Sequence, residues 1–245
     1  MNFLKSSIFI FLLSTFAFAR SLDDIKNSGE IFIAVYEDFP PYSFIEDGVP
    51  KGIDIELGKM IAKSLDVKPV WSFTGFDEDL ASDLRNNIWR GNVVHKNKAD
   101  VMLRIPYDYD YLRITDKSTG QLETDMVSIK GPYQSEKWII ATNKAVIPQI
   151  NTLGIFAYQT SGVEIDLLPD LHISGFARGL LSKNIKHYNK FTDAINDLKS
   201  GKIDAVAGLK SQIEYLLDYK NNADKYYLTE DIPQMKSQWD LATAV

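Results

Sequence analysis

Cysteine is absent from the chain. That removes disulfide staples, thiolate catalysis and zinc–cysteine sites together. Histidine is scarce, and His95, His172 and His187 lie far apart with no H-x-x-x-H spacing, so no metal and no cofactor is expected. No G-x-S-x-G or phosphate-loop pattern occurs, and the chain is not expected to be an enzyme. Basic charge is not in excess. The net charge of −6 leaves no electrostatic footprint for nucleic acid. Beyond the N-terminus no apolar run is long enough to span a bilayer.

The chain does carry a leader-like start, "MNFLKSSIFIFLLSTFAFARS". Lys5 supplies the positive charge, Ile8 to Phe18 the apolar run, and Ala17-Phe18-Ala19 an A-x-A cleavage signal. Residues 1–19 are therefore expected to be a signal peptide, with no lipoprotein cysteine behind it. The mature protein is expected to be soluble, monomeric and exported to a bacterial periplasm.

The 245 residues, 45% hydrophobic and 24% charged, suffice for one large domain or two modest ones. "EIFIAVYED" alternates in a strand pattern and stops at Pro40-Pro41, since proline cannot donate to a ladder. From Ile53, the residues Leu57, Met60, Ile61 and Leu65 follow helical spacing, with Asp54 and Glu56 complementing the helix dipole. "KPVWSFTGF" reads as a strand, Asp79 to Arg90 as a helix, and "ADVMLRI" as a short buried strand. The later half repeats the order. "LGIFAY" is a strand, "QTSG" a loop, "VEIDLL" the start of a helix and "NIKHYN" a strand. "TDAINDLKSG" is a helix with Thr192 as N-cap, and "KIDAVAG" a strand. Such alternation implies two α/β lobes with parallel strands. Two extended stretches, "MVSIKGPYQSEKWIIATN" and "SQWDLATAV", would carry the backbone between them. The expected division is lobe 1 over 20–132, completed by 238–245, and lobe 2 over 138–232, with hinges at 133–137 and 233–237.

Several stretches resemble the family 3 extracellular solute-binding proteins of bacterial uptake systems. "IFIAVYEDFPPYSFIEDGVPKGIDIELGKMIAKSL" is similar to that family's opening, with its P-P-aromatic turn and "G-x-D-x-E-L". "GPYQSEKWIIATN", "LKSGKIDAVAGLKSQIEYLL" and "WDLATAV" resemble its first hinge strand, its second-lobe "GxxDAxxxD" segment and its return strand. The resemblance implies a two-lobed, type II periplasmic-binding fold. It implies closure on a small polar ligand and delivery to a membrane transporter permease. Family members continue past the return strand with a helix on lobe 1, and here the sequence ends at Val245, so that helix is expected to be missing.

The departures bear on the ligand. The T-x-x-R motif that grips an α-carboxylate in amino-acid binders is not present after "ADVML". Leu209 falls where the family's ammonium-binding aspartate stands. An ordinary amino acid is therefore not the expected ligand. "DVMLRIPYDYDYL" also resembles, more loosely, a subgroup associated with periplasmic quinoprotein dehydrogenases. This leaves an accessory protein with a dehydrogenase partner as an alternative. A cyclohexadienyl-dehydratase-like lyase is a further one.

Candidate ligand residues follow from position. Tyr42 sits where the family presents a ring, which offers a flat surface and a hydroxyl; packing within its own lobe is the alternative. Phe39 and Phe44 read as core. Arg104, Tyr107 and Asp108 follow a strand end, where open α/β sheets bind ligands, or else form surface ion pairs. Thr160, Ser161 and Gly162 would precede the lobe 2 helix and offer free backbone N–H groups, or simply cap it. Lys210 and Ser211 would reach the cleft from lobe 2.

Overall fold

The computed structural model describes residues 20–75, 80–91, 98–109, 111–113, 115, 120–122, 124–149, 161–164, 184–229 and 238–245. The leader-like segment, the expected strand at 153–158, Thr160 and the expected second hinge at 233–237 lie outside them. A short helix α1 (Leu22–Ser28) is fastened by reciprocal bonds between Ser21 and Asp24, the capping-box arrangement, and leads into β1.

β1 (Glu30–Tyr36) is the first strand of the first unit and has a parallel neighbour on each side. Its alternation sends Ile31, Ile33 and Val35 to one face and Ala34 and Tyr36 to the other, as a period of two requires. The first face is covered by α2 (Ile53–Ser64), through Ile55, Ile61 and Ala62. Between them lies a small hairpin of β2 (Phe44–Glu46) and β3 (Val49–Lys51). β4 (Lys68–Thr74) and β5 (Val101–Pro106) run parallel to β1 on either side. The expected helix over 79–90 is α3 (Leu80–Leu84), which widens into a π-helical turn at Arg85–Trp89.

β6 (Ile129–Glu136) and β12 (Trp239–Ala244) complete this sheet, in the order β4-β1-β5-β12-β6, with β12 antiparallel to both neighbours. The second unit is built the same way. β8 (Ser161–Glu164) lies between β9 (Ile185–Tyr188) and β10 (Ala205–Leu209), all parallel. β7 (Trp138–Asn143) is antiparallel to β10 and to the edge strand β11 (Tyr226–Leu228). From the parallel end the order is β9-β8-β10-β7-β11. In each sheet the antiparallel strand is thus the one arriving from the other unit. Helices α4 (Phe191–Lys199) and α5 (Lys210–Leu216), followed by the turn-length α6 (Tyr219–Asn222), pack on the second sheet.

The units share an apolar seam. β7 sends Ile139 and Ala141 to its own helices and Trp138 and Ile140 to the seam, and β10 divides Val206 from Ala205, Ala207 and Leu209 in the same manner. These residues join Ala34, Tyr36, Met102 and Ile105 of the first sheet. β6 remains paired to β12 as far as Glu136, opposite Trp239, and Lys137 alone separates it from β7.

Two local expectations are corrected. "QTSG" followed by a helix does not describe 161–164: Ser161 and Gly162 open β8, because its backbone groups are claimed by ladders on both sides and tertiary pairing overrides local preference. Thr192 lies inside α4, whose N-cap is Lys190 with no side-chain cap. Asp54, expected to complement the helix dipole, stands in the first turn of α2 and is fully buried. Among the described residues no helix is long and apolar enough to cross a membrane, and no cluster of potential metal ligands occurs.

Candidate functional site

The site begins with the strap between β1 and the hairpin. The Phe39 and Tyr42 N–H groups donate to Ser43 and Phe39 carbonyls, each at 2.8 Å. Ser43 Oγ donates to the Tyr36 carbonyl at 2.6 Å. Helix α2 has no side-chain cap. Its first N–H groups donate instead to strap carbonyls, Ile53 to Pro41 at 3.0 Å and Asp54 to Tyr42 at 2.9 Å. Gly52 makes this possible: its φ is +122°, and a Cβ there would fall 2.0 Å from the Tyr42 carbonyl oxygen. The stiff aromatic turn thus locks Tyr42 onto the start of α2.

The Tyr42 ring is fully buried. One side stacks on Phe39, with centroids 5.7 Å apart. The Arg104 guanidinium lies 3.3 Å from the ring centre. The Tyr42 hydroxyl donates to Glu136 Oε2, contacts Ser211 Oγ at the start of α5, and accepts from Gln134 Nε2 at 3.2 Å. Ser211 Oγ also donates to Glu136 Oε2. Tyr42 of the first unit and Ser211 of the second therefore meet on one carboxylate at the crossing.

Arg104 reaches this point through an irregularity in β5. Its φ is +66°, uncommon for a residue with a Cβ. Ala242 and Ala244 of β12 pair with Ile105 and Met102, so one extra residue sits in β5. Bulges of this kind re-aim side chains. Here it restores Met102 and Ile105 to the same cluster and turns Arg104 under the Tyr42 ring. The Arg104 N–H donates to Tyr133 Oη at 2.9 Å and its Nη1 to Gln134 Oε1 at 3.3 Å. Nη1 lies 3.7 Å from Asp54 Oδ1, and Nη2 lies 3.9 Å from Glu136 Oε2.

Burial pushes the Asp54 carboxyl up to about 6, against the pull of Arg104. The Tyr133 phenol is pushed up by burial and then by Asp54. The Tyr42 phenol is raised mainly by burial, with Arg104 acting the other way.

The remaining expected site residues fall elsewhere. Tyr107 and Asp108 lie just past β5, where the Tyr107 N–H donates to the Asp240 carbonyl at 2.7 Å and the Asp108 carbonyl accepts from Leu112 at 2.9 Å. Lys210 fastens the α5 entry, its N–H donating to the Lys137 carbonyl at 2.8 Å, while its Nζ pairs with Glu214 at 3.0 Å. Ser161 pairs with Ala205 at the start of β10, the end of the sheet away from Ser211. Glu136, Gln134 and Tyr133 were not singled out from the sequence. The alternation of Gln134 and Glu136 in "YQSEKW", two polar side chains two residues apart and so on one strand face, was the available signal.

Two further contacts join the units. Lys190 before α4 pairs with Asp38 after β1, and the Tyr215 ring of α5 lies 6.4 Å from that of Phe44. An open groove of ≈ 710 Å³ at the Phe44–Tyr215 pair is walled by these two rings with Ile53, Tyr133 and Gln134.

These features define a two-unit α/β architecture, and comparison with known proteins supports that fold. Residues 31–90, from β1 to the end of the π-helical turn, match the sequence profile of bacterial extracellular solute-binding proteins, family 3. The whole fold is similar to holo ArgBP from T. maritima, with a TM-score of 0.66 and 22% identity over 92% of this chain and 86% of that one. It is also similar to an ABC uptake transporter substrate binding protein from Streptococcus pneumoniae with bound histidine (TM-score 0.65, 16% identity, 91% and 81% covered). A third is a cysteine-binding protein from Campylobacter jejuni (TM-score 0.62, 20% identity, 91% and 79% covered). No curated protein sequence matches the chain. The resemblance read from the sequence is thus shown in the first unit by the profile, and the two-lobed type II periplasmic-binding fold by the structures.

Proposed function

We propose that this chain is a periplasmic solute-binding protein. Its lobes close around a small polar molecule and deliver it to a membrane transporter. No bond in the ligand is broken. The lobes are the two sheets with their helices, exchanging at Lys137 and again before β12. The observation that carries the reading is the paired topology: two sheets of one strand order, each completed by a strand from the other, with contacts at Tyr42–Ser211 and Asp38–Lys190. Such an arrangement permits rotation about a short crossing while the lobes stay rigid. Relatives of this fold include proteins described as arginine-bound, histidine-bound and cysteine-binding, which supports a binding role rather than a catalytic one.

Arg104 does not serve as an open anion clamp in this reading. Its guanidinium is enclosed by Asp54, Glu136, Gln134 and the Tyr42 ring. The test is a thermal-shift screen of the chain from Arg20 onward against a metabolite panel. A ligand at a hundredfold excess over Kd stabilises by about 2.7 kcal/mol, so a binder raises the melting temperature by several degrees. No shift with any small molecule, together with co-purification of a dehydrogenase, would replace this reading by the accessory role.

A further inference from the structure

The cluster at the crossing does not balance its charge. Arg104 supplies one guanidinium, Asp54 and Glu136 supply two carboxyl groups, and all three are more than nine-tenths buried. Among the described residues, the other groups facing them are the Tyr42 phenol from the strap, the Tyr133 phenol and Gln134 amide from β6, the Lys137 backbone N–H, which donates to Glu136 Oε1 at 3.1 Å, and the Ser211 hydroxyl from α5. The phenols are kept protonated by burial, so none of these supplies a second positive charge. Both Asp54 oxygens and Arg104 Nη2 have no hydrogen-bond partner. A buried charge left without a counter-ion is expensive, and it is relieved by a proton or by a cation brought from outside.

We propose, on the footing of the solute-binding reading above, that the Glu136 carboxylate, flanked by Tyr42 and Ser211, anchors the positively charged end of the solute. The solute is a small organic cation, an amine, amidinium or guanidinium, rather than an acid. In the structure the Tyr42 and Ser211 hydroxyls both donate to Glu136 Oε2. They come from different lobes, so parting the lobes withdraws a donor and leaves that oxygen open to a ligand's N–H. Among the described residues along these edges, a carboxylate ligand finds no comparable partner. Arg104 is enclosed by acidic groups, Lys190 faces Asp38 and Lys210 faces Glu214.

A proton does the same service as the cation. Burial pushes Asp54 up to about 6, so acidification removes the surplus charge at that residue. Binding of a cation favours the ionised carboxyl and releases a proton, and its affinity falls as pH drops below about 6.

The experiment measures binding of agmatine, putrescine and benzamidine, and of succinate, L-glutamate and benzoate, to the chain from Arg20 onward, by thermal shift and calorimetry at pH 5 and pH 8. At least one cation is expected to bind, up to about tenfold more tightly at pH 8, and the acids not at all. Glu136→Gln is expected to abolish that binding. Ser211→Ala, which removes a competing donor while leaving the carboxylate, is expected to tighten it. An acid that binds, and loses its binding in Arg104→Gln, overturns the cation assignment while leaving a solute-binding protein in place. Cation binding unchanged in a folded Glu136→Gln also overturns it. If neither these probes nor the broad panel bind, the solute-binding reading falls, and this inference with it.

Discussion

The Arg104 guanidinium lies 3.3 Å from the centre of the Tyr42 ring, and both residues are held there by backbone features rather than by chance packing. Tyr42 is fixed by the strap that caps α2, and Arg104 by the bulge in β5. The pair lies beside a polar contact between the lobes, where the Tyr42 hydroxyl meets Ser211 and Glu136, so disturbing either one should be felt in stability as well as in binding.

Arg104→Met leaves Asp54 and Glu136 without their cation. Breaking a buried charge cluster by removing one partner typically costs about 3–5 kcal/mol. Urea unfolding at pH 8 should show a loss of that size. A loss below about 1 kcal/mol, the range of an exposed ion pair, would mean that the cluster is solvated.

Tyr42→Phe keeps the ring and deletes the hydroxyl. Glu136 then loses a donor, and a buried acceptor left short of a partner costs about 1–3 kcal/mol. The midpoint of urea unfolding should drop with its slope unchanged. An unchanged midpoint would show that water replaces the hydroxyl without penalty.

Asp54 predicts a specific pH dependence. Its carboxyl is raised from the ordinary 3.8, which it regains on unfolding, to about 6 in the folded protein. The folded state therefore binds the proton more tightly than the unfolded chain does. Asp54 favours folding most below pH 3.8, loses that contribution between pH 3.8 and 6, and gives none above. The difference of about two pH units corresponds to about 3 kcal/mol. Asp54→Asn should flatten stability over that interval, read from unfolding curves at several pH values.

Gly52→Ala should be among the most damaging substitutions in the first lobe. The added Cβ would strike the Tyr42 carbonyl, at 2.0 Å, in a backbone conformation of φ +122°. Circular dichroism and solubility should report a protein that is misfolded or strongly destabilised. A variant with a native melting curve would show that the strap is not tied to α2 as described.

Much of the architecture was legible because it rests on periodicity. The alternation of Glu30 to Tyr36, the helical spacing from Ile53 and the repeat of "KIDAVAG" after a helix all survive in β1, α2 and β10. Ser161 and Gly162 mislead because small residues signal loops locally, while strand status is conferred by β9 and β10 on either side. The site was harder. Asp54 stands in a helix first turn, where an acidic residue usually faces solvent and serves the dipole. Only the folded chain shows Arg104 behind it, 3.7 Å away. The bulge that aims Arg104 depends on the register of β12, a strand more than a hundred residues later. Nothing local to "MLRIP" encodes that partner.

Above all, two rigid lobes should move about a short crossing when a solute enters. The absence of cysteine makes a direct measurement simple. Lys63→Cys on α2 and Lys220→Cys on α6, both at exposed positions, place one spin label on each lobe. Pulsed electron resonance should give a broad distance distribution without solute. With a solute that raises the melting temperature, it should narrow to one shorter distance. A single distance, unchanged by a solute that demonstrably binds, would contradict the hinged-lobe account.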